Sequence, residues 1–435
     1  SIAPNPDIAD GSMSLSNAPS PNLEPWQSHA PALGVYVHIP FCVLKCAYCD
    51  FNSYAGLSEL HAPYVAALIT ELQLQTEQAD RPIVDTVYVG GGTPTVLPPD
   101  AIGSLLTALH ACYQVAADAE ITLEANPGTV SRQTLHALRG HGVNRLSLGV
   151  QSFDDAELRF LGRIHSAAQA REAVSAARAA GFTNLNLDLI YGLPYQSVAG
   201  WLTSLEGALR LEPDHLSLYC LTLEEGTPLY EEVSRGSVPA SDPDLAAEMY
   251  ERARDLLARH GFVHYELSNW ARHATTSRYN SRLSLEPGCR SCRHNLKYWT
   301  GQPYLGIGAG AHSYLNSVRW RNVSQPAAYI DAISHSGSAR CEEELITTEG
   351  RMAEAMFLGL RLVAGVRWSE LYARLGCDLR RKYVLELAEL DSEGLLTVDA
   401  ESARLTPRGQ LLANQVFVRF LSSCERSGRP GADRE

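Results

Sequence analysis

The first half of the sequence alternates short strand-like runs with amphipathic helical segments. Helical patterns at residues 61–79, 100–113, 167–180 and 198–211 separate the runs. Alternation of this kind predicts right-handed βαβ units and a parallel sheet whose faces are covered by helices. Periodicity alone leaves a partial barrel, a closed barrel and a doubly wound sheet open. The strand-like runs lie at residues 35–40, 86–92, 120–126, 145–151, 184–192 and 215–221.

Three cysteines follow the first strand, which ends at Pro40. Cys42, Cys46 and Cys49 have the spacing C-x3-C-x2-C, and three thiolates so close together can hold a metal centre. A structural zinc site prefers C-x2-C pairs and four ligands, whereas an iron–sulfur cube normally takes four thiolates. Position 51 is Phe and supplies no fourth thiolate. The spacing therefore favours a cube with one iron open to a small molecule over a zinc knuckle or three unrelated thiols.

The segment YVHIPFC, which leads into these cysteines, resembles the start of the coproporphyrinogen oxidase-like branch of the radical S-adenosylmethionine (SAM) superfamily. The resemblance implies a partial (β/α)6 barrel that is open on one side. It also implies a [4Fe-4S] cluster on Cys42, Cys46 and Cys49, with SAM bound to the open iron. The chemistry implied is one-electron cleavage of SAM to methionine and a 5′-deoxyadenosyl radical.

Three consecutive glycines follow the second predicted strand, in the run Gly90-Gly91-Gly92-Thr93-Pro94. Parallel α/β proteins place their chemistry at the carboxyl ends of the strands. Glycines there let the backbone approach a ligand and present N–H and C=O groups to it. The run therefore favours SAM binding over a tight turn that binds nothing.

Four short motifs at other predicted strand ends strengthen this interpretation. They are ExNP at Glu124, GxQS at Gln151, LGR at Arg163 and DLIYGLP from Asp188. Taken singly, each residue is compatible with a surface or capping role. The resemblance implies that Tyr36, Tyr48, Gly91 and Glu124 line the SAM on the open iron. It implies that Gly92, Thr93, Gln151, Arg163 and Asp188 match contacts to a second SAM.

A second concentration of reactive side chains lies at residues 289–299, CRSCRHNLKYW. Covalent haem attachment uses C-x-x-C-H, but His294 comes one residue too late for that spacing. A zinc half-site would need two further ligands. The third interpretation is axial haem ligation by His294, with Tyr298 and Trp299 against the macrocycle. On composition alone, a packed or solvent-exposed histidine remains the simpler alternative.

The run His294-Asn295-x-x-Tyr298-Trp299 matches the HNxxYW motif of the HemW family of haem chaperones, which shares the same barrel start. Coproporphyrinogen III oxidases carry a fourth cysteine where this chain has Phe51. The resemblance implies a chaperone that binds haem and transfers it to acceptor proteins such as respiratory haem enzymes. The alternative is oxygen-independent coproporphyrinogen III oxidase, which decarboxylates propionates oxidatively to vinyls. A redox or nucleic-acid-binding protein with a structural cluster is a more distant third.

Composition limits the partners and the compartment. A formal net charge of −13 disfavours binding to nucleic acid or anionic membranes, which requires clustered Lys and Arg. No apolar run approaches the length that spans a bilayer, so we expect no stable membrane insertion. Ten cysteines in a long chain without a secretory signal indicate a reducing compartment, and we expect a cytoplasmic protein.

The sequence also predicts a domain organisation. Residues 1–33 and 422–435 are expected to be disordered tails. Residues 34–335 form the predicted barrel with both candidate sites, and within them YLGIGAGAHS at residues 304–313 is expected to close one side. Residues 340–421 combine helices with a short hairpin, which resembles a small winged-helix-like domain. Because this region lacks a strong basic surface, we expect it to act as a lid or docking element and not in DNA binding.

Overall fold

The computed structural model describes residues 31–76, 81–272 and 289–427. Most residues of the two predicted tails lie outside these ranges. Strand pairing nevertheless begins at Leu33, which is only 3% exposed, and the last helix runs on to Ser427. Both ordered ends therefore reach into segments that the sequence assigned to tails.

The structure contains both predicted element types in the expected alternation. The strands are β1 (Leu33–Ile39), β2 (Phe41–Cys42), β3 (Tyr54–Ala55), β4 (Ile83–Gly91), β5 (Gln114–Ala125), β6 (Arg145–Gln151), β7 (Leu185–Tyr191), β8 (His215–Cys220), β9 (Phe262–Glu266), β10 (Asn269–Arg272), β11 (Tyr304–Ile307), β12 (His312–Leu315), β13 (Val318–Asn322), β14 (Arg340–Leu345), β15 (Val366–Arg367), β16 (Leu396–Val398) and β17 (Ser402–Leu405). The helices are α1 (His61–Thr76), α2 (Pro99–Cys112), α3 (Arg132–Gly140), α4 (Asp155–Phe160), α5 (Ala167–Ala179), α6 (Val198–Leu209), α7 (Pro228–Ser234), α8 (Pro243–Arg259), α9 (Arg293–Trp299), α10 (Pro326–Ser336), α11 (Thr348–Gly359), α12 (Trp368–Leu375), α13 (Leu379–Lys382), α14 (Val384–Ser392), α15 (Pro407–Leu411) and α16 (Ala413–Ser427). No helix in the described ranges is long and apolar enough to cross a membrane.

One large sheet organises the chain. Its strand order is β14, β13, β12, β11, β1, β4, β5, β6, β7, β8, β10, β9. The six predicted strands, β1 and β4 to β8, are neighbours in chain order and pair in parallel. The sheet keeps two edges, β14 and β9, so the predicted partial (β/α)6 barrel is confirmed. Strand β11 adds a parallel neighbour to β1, and the outer pairs are antiparallel.

The two faces of the sheet differ in chemistry, as β6 illustrates. Its Leu146, Leu148 and Val150 are fully buried in the main hydrophobic core. Its alternate residues Arg145 and Ser147 line a cavity on the opposite face. Parallel sheets covered on both faces usually read as continuous apolar runs. A polar inner face therefore marks the inside of this half-barrel as a binding site and not as packed core.

A second hydrophobic core lies in the C-terminal region, around buried Met356, Tyr383 and Phe420. Helices α11 to α16 surround it, with a small antiparallel sheet in the order β15, β17, β16. This arrangement agrees with the predicted helical domain with a short hairpin. Arg361 connects the region to the barrel, since its guanidinium stacks on Trp299 at 4.3 Å and lies 3.9 Å from the Glu266 carboxylate.

A buried carboxylate fixes the segment that closes one side of the barrel. Glu71 on α1 is 3% exposed and accepts hydrogen bonds from Tyr329 Oη at 2.6 Å, Asn322 Nδ2 at 2.8 Å and Gly308 N at 2.9 Å. These donors come from α10, β13 and the turn between β11 and β12. Burial raises the pKa of Glu71, and the three donors oppose that shift. One side chain therefore positions the whole edge that follows β11.

Replacing Glu71 by Ala should destabilise the apoprotein by about 2–4 kcal/mol, because buried donors lose their acceptor. Urea unfolding of Glu71→Ala, followed by circular dichroism, measures this loss. Glu59→Ala, at an exposed position just before α1, serves as the control and should stay within about 0.5 kcal/mol of the parent. Equal stabilities for the two variants would contradict the role assigned to Glu71.

Candidate functional site

The three motif cysteines lie on the loop that links β2 to β3. Cys42 ends β2, which pairs in parallel with β3 through Phe41 opposite Tyr54. Cys46 and Cys49 share a turn in which Cys49 N donates to Cys46 O at 3.2 Å. All three thiols line one cavity of about 440 Å³ at the carboxyl ends of the parallel strands. The loop thus presents its sulfurs to the place where such folds bind ligands.

Each sulfur has a polar neighbour. Thr93 Oγ1 donates to Cys42 Sγ at 3.6 Å, and Arg163 Nη1 donates to Cys46 Sγ at 3.3 Å. Ser53 Oγ lies 3.9 Å from Cys49 Sγ. Burial raises the pKa of Cys42 and Cys49, whereas these hydroxyl groups lower it. Hydrogen bonds to sulfur stabilise thiolates and tune iron–sulfur centres.

The three thiols lie around part of the cavity and do not meet at one point. Within the described ranges, no group of three or more His, Cys, Asp and Glu side chains converges closely enough to hold one metal ion. Thiols spread around a cavity are compatible with a polynuclear centre.

Two glycines allow the second strand end to pack against the cysteine loop. Gly91 has φ 118°, and a Cβ there would lie 2.6 Å from the His38 ring. A Cβ at Gly92 would lie 2.7 Å from Phe41 O and 3.0 Å from Cys42 Sγ. Gly92 N also donates to Ile39 O at 2.8 Å. The glycine run is therefore required for close packing, whatever ligand it binds.

Two carboxylates, from β5 and β7 on either side of β6, extend into the same cavity. Glu124 accepts hydrogen bonds from Tyr88 Oη at 2.7 Å and Gly91 N at 3.0 Å, and burial raises its pKa to about 7. Asp188 accepts from Asn186 Nδ2 at 2.7 Å and from a serine hydroxyl. Burial raises the pKa of Asp188 as well. A positively charged ligand would favour the ionised form of both groups.

Several buried polar atoms at this cavity have no hydrogen-bond partner among the described residues. They include Gln151 Oε1, Arg163 Nε and Arg145 Nε. The backbone of Gln151 also has φ 68°, a value that residues other than glycine rarely adopt. It lies at an irregularity in the pairing of β6 with β7. Unsatisfied buried groups and backbone strain concentrate at ligand sites. The cavity therefore has the chemistry of a site that a polar ligand completes.

The structure brings most of the predicted SAM residues together. Eight of the nine line the cavity with the three thiols: Tyr48, Gly91, Gly92, Thr93, Glu124, Gln151, Arg163 and Asp188. Tyr36 does not. It lines a neighbouring cavity and its hydroxyl lies 2.9 Å from His38 Nδ1. The role predicted for Tyr36 in SAM binding stays a prediction, and the cavity that it lines shares Gly91 and Glu124 with the cavity of the cysteines.

The neighbouring cavity measures about 400 Å³ and lies between β1 and the β11–β12 edge. Its lining is rich in rings, with Tyr36, Tyr298 and Tyr304 among them. Tyr298 and Tyr304 pack edge to face with ring centroids 4.6 Å apart. The two cavities share Phe51, Gly91 and Glu124. A flat aromatic ligand in the second cavity would thus lie beside a ligand in the first.

His294, the predicted haem ligand, lines neither cavity. It is 1% exposed, with Nδ1 3.0 Å from Thr86 Oγ1 and Nε2 2.9 Å from Tyr298 Oη. Burial lowers its pKa to about 3, so the ring is neutral. Both nitrogens are engaged, and iron could bind only after one of these hydrogen bonds breaks. The geometry fits the packed histidine and does not present His294 as an open axial ligand.

The helix that carries His294 closes the base of the half-barrel. Glu120 accepts from the backbone N–H groups of Arg293 and His294, each at 3.1 Å. Its carboxylate also accepts from Cys292 Sγ at 3.5 Å, and burial raises the pKa of that thiol to about 12. Cys292 is thus buried and donates to Glu120, and it would have to give up this hydrogen bond to bind a metal.

Sequence reasoning missed the polar residues deeper in the first cavity. Each lies on a strand where polar and apolar residues alternate, and three of them stand at a spacing of two from a predicted site residue or from another member of the group. That alternation was visible in runs such as RLSLGVQ and NLNLDLIY, where every second residue is apolar. The residues concerned are Arg145, Ser147, Asn186 and Ser217.

Comparisons with known proteins agree with this geometry. Residues 36–206 match the model of the radical SAM superfamily, and residues 346–412 match that of the HemN C-terminal domain. The chain is 38% identical to the "Heme chaperone HemW" of Mycobacterium tuberculosis, over 89% of this chain and 94% of that protein. It is 36% identical to the protein of the same name from Bacillus subtilis, over 89% and 98% of the two chains.

The chain belongs to the HemW family. Among solved structures, coproporphyrinogen III oxidase (HemN) from Escherichia coli superposes with a TM-score of 0.76 at 25% identity, over 90% of each chain. The barrel, its added strands and the C-terminal region therefore form an architecture common to HemW and HemN.

A single methyl group at Gly92 should disturb the cysteine loop of this HemW family member. Because the added Cβ would crowd Phe41 O and Cys42 Sγ, we expect Gly92→Ala to lower the affinity for iron about tenfold. Iron and sulfide analysis after anaerobic reconstitution at limiting iron measures the effect. Gly140→Ala is the matched control, since a Cβ at Gly140 meets nothing within 4 Å. Parental iron content in Gly92→Ala would contradict the packing argument.

Proposed function

We propose that this chain is a haem chaperone that holds a [4Fe-4S] cluster and SAM in its first cavity. It binds haem in the second and transfers it to haem-dependent acceptor proteins. The observation that carries the proposal is the ring-lined second cavity, which shares a wall with the cavity of the three thiols. The names of the relatives from Mycobacterium tuberculosis and Bacillus subtilis support the same function.

The residues of the first cavity divide into two groups by their chemistry. Cys42, Cys46 and Cys49 supply the thiolates for the cluster, and Thr93 and Arg163 donate hydrogen bonds to two of them. When bound, the reduced cluster supplies the electron that cleaves a carbon–sulfur bond of SAM.

The second group binds the rest of SAM. Glu124 faces the cavity with a carboxylate suited to an ammonium or sulfonium group. Gly91 and Gly92 bring the backbone close, and Gln151 and Asp188 contribute polar atoms farther along the strand ends. Together these residues fix the orientation of the ligand and limit the access of water.

Phe51 is the side chain that favours haem over a porphyrinogen reaction. It occupies the position of the fourth cysteine in coproporphyrinogen oxidases and is 64% exposed on the wall between the cavities. An exposed phenyl ring there offers apolar surface to a macrocycle. The structural similarity to HemN is the observation that favours the oxidase instead, and its reaction is therefore a direct competitor in the test.

The same proposal includes a cytoplasmic location. The nine cysteines whose side chains are described are all free, including the pair Cys289 and Cys292. Free thiols on an exposed loop persist in a reducing compartment, where they serve metals. A cluster on Cys42, Cys46 and Cys49 requires the same conditions.

Removing one cluster ligand should separate the two cavities functionally. We expect Cys42→Ala to abolish the cluster while haem affinity stays within about threefold of the parent, since Cys42 lines only the first cavity. Iron–sulfide analysis and a haemin titration followed in the Soret region measure the two properties. Cys341→Ala, at an exposed site on β14, is the control and should change neither.

Transfer and catalysis are then tested on the reconstituted parent protein. Haem should reach a haem-free respiratory enzyme faster than it reaches a passive haem scavenger, which measures release alone. Incubation with reductant, SAM and coproporphyrinogen III should release no carbon dioxide. Carbon dioxide release together with 5′-deoxyadenosine would replace the chaperone proposal by the oxidase, and failure to bind haem would remove it.

A further inference from the structure

We propose that His312 is the axial ligand of the haem iron in the second cavity. The inference rests on the proposed haem-chaperone function and adds the residue that function requires. His312 opens strand β12 and lines the cavity together with Tyr298 and Tyr304. The residue belongs to the run GAHS and lies outside the HNxxYW motif.

Two histidines line this cavity, and only one has a free imidazole. His38 is buried, with Nδ1 2.9 Å from Tyr36 Oη and Nε2 2.8 Å from Asn52 O. The imidazole of His312 is exposed, and it makes no hydrogen bond within the described ranges. Since the nitrogens of His294 are also engaged, His312 is the histidine that can bind iron without first losing a partner.

The backbone that carries His312 is rigidly held, as a metal ligand requires. Strand β12 pairs antiparallel with β13, where His312 lies opposite Arg321. The preceding turn is anchored by Asn52, whose Nδ2 donates to Ala309 O and to Ser324 O at 3.0 Å each. A Cβ at Gly306 would fall 2.1 Å from His312 O, so β11 and β12 approach too closely for any larger residue.

Aromatic rings that line the same cavity provide surfaces for the macrocycle. Tyr298 and Tyr304 lie on one side, and Phe51 lies on the wall toward the first cavity. The hydrogen bond from His294 to Tyr298 orients the first of these rings. His294 is thus a positioning residue, which gives the HNxxYW segment a role in haem binding without a bond to iron.

Charged groups surround the imidazole. Partial burial, Arg321 and Arg319 each lower the pKa of His312, while Glu342 opposes them. Arg319 forms an ion pair with Glu354 at 2.7 Å, and Arg321 forms one with Glu342. The two arginines therefore act on His312 only through the electrostatic field around it.

The test compares the haem spectra of five full-length, anaerobically reconstituted proteins. They are the parent, His312→Gly, His312→Cys and His294→Gln, with His136→Ala on the exposed side of α3 as the control. Each is titrated with haemin and examined by Soret absorption, electron paramagnetic resonance and resonance Raman spectroscopy of the ferrous form.

We expect His312→Gly to lose the iron–histidine vibration, because the ligand is gone. Haemin should then bind at least about tenfold more weakly, held only by the remaining contacts around the iron site. Added imidazole should restore the parental spectrum. His312→Cys should show thiolate ligation, which arises only if position 312 touches the iron. His294→Gln and His136→Ala should keep histidine ligation, although His294→Gln is expected to bind more weakly because Tyr298 loses its anchor.

The outcomes separate the two levels of the proposal. A parent protein that does not bind haem saturably overturns the haem-chaperone function itself. A parent that binds haem, with histidine ligation retained in His312→Gly and no thiolate signal in His312→Cys, overturns the assignment of His312 alone. Loss of histidine ligation in His294→Gln, with His312→Gly unchanged, would return the role of ligand to His294. Iron–sulfide content and circular dichroism exclude misfolding as the cause of any loss.

Discussion

The Glu120 carboxylate joins the barrel to the helix that closes it. Three groups at the start of α9 donate to this one side chain: the N–H groups of Arg293 and His294 and the thiol of Cys292. A negative charge at a helix N-terminus is stabilised by the helix dipole, and here the pair is buried. Lys297 adds a buried ion pair with Asp85 at 2.7 Å. Without these contacts the polar inner face of the sheet would be open at its base.

Closure of the base gives the HNxxYW segment a structural role that its composition does not show. A histidine, two aromatic rings and two cysteines within eleven residues have the composition of a haem or zinc site. Their hydrogen bonds, however, run to Thr86, Glu120 and Tyr298, and these partners lie far from α9 in sequence or on its own next turn. Composition cannot reveal whether a histidine nitrogen already has a partner, because that depends on tertiary contacts.

Local patterns were sufficient for the parallel part of the fold and for most of the first cavity. Strand-helix alternation specifies neighbouring parallel strands, and the residues at their carboxyl ends then meet at one edge. Glu124 and Asp188 could therefore be placed beside the cysteine loop from sequence. The position of β11 could not, because it pairs with β1 across more than half of the chain and carries no local signal of its partner. The surroundings of Tyr36 could not be predicted either, since they are created partly by that pairing.

The wall between the two cavities has consequences for any ligand that enters either of them. Glu124 lies on that wall with Gly91, and its pKa of about 7 means that a small change in field alters its charge. A cation in the first cavity stabilises the carboxylate, and the resulting negative charge then acts on the second cavity. Thermodynamic linkage is reciprocal. A ligand in the second cavity that disfavours the negative charge on Glu124 would therefore weaken the binding of a cation in the first cavity. A ligand that changes the charge of Glu124 from one cavity would therefore act on the other through this carboxyl group, which borders both.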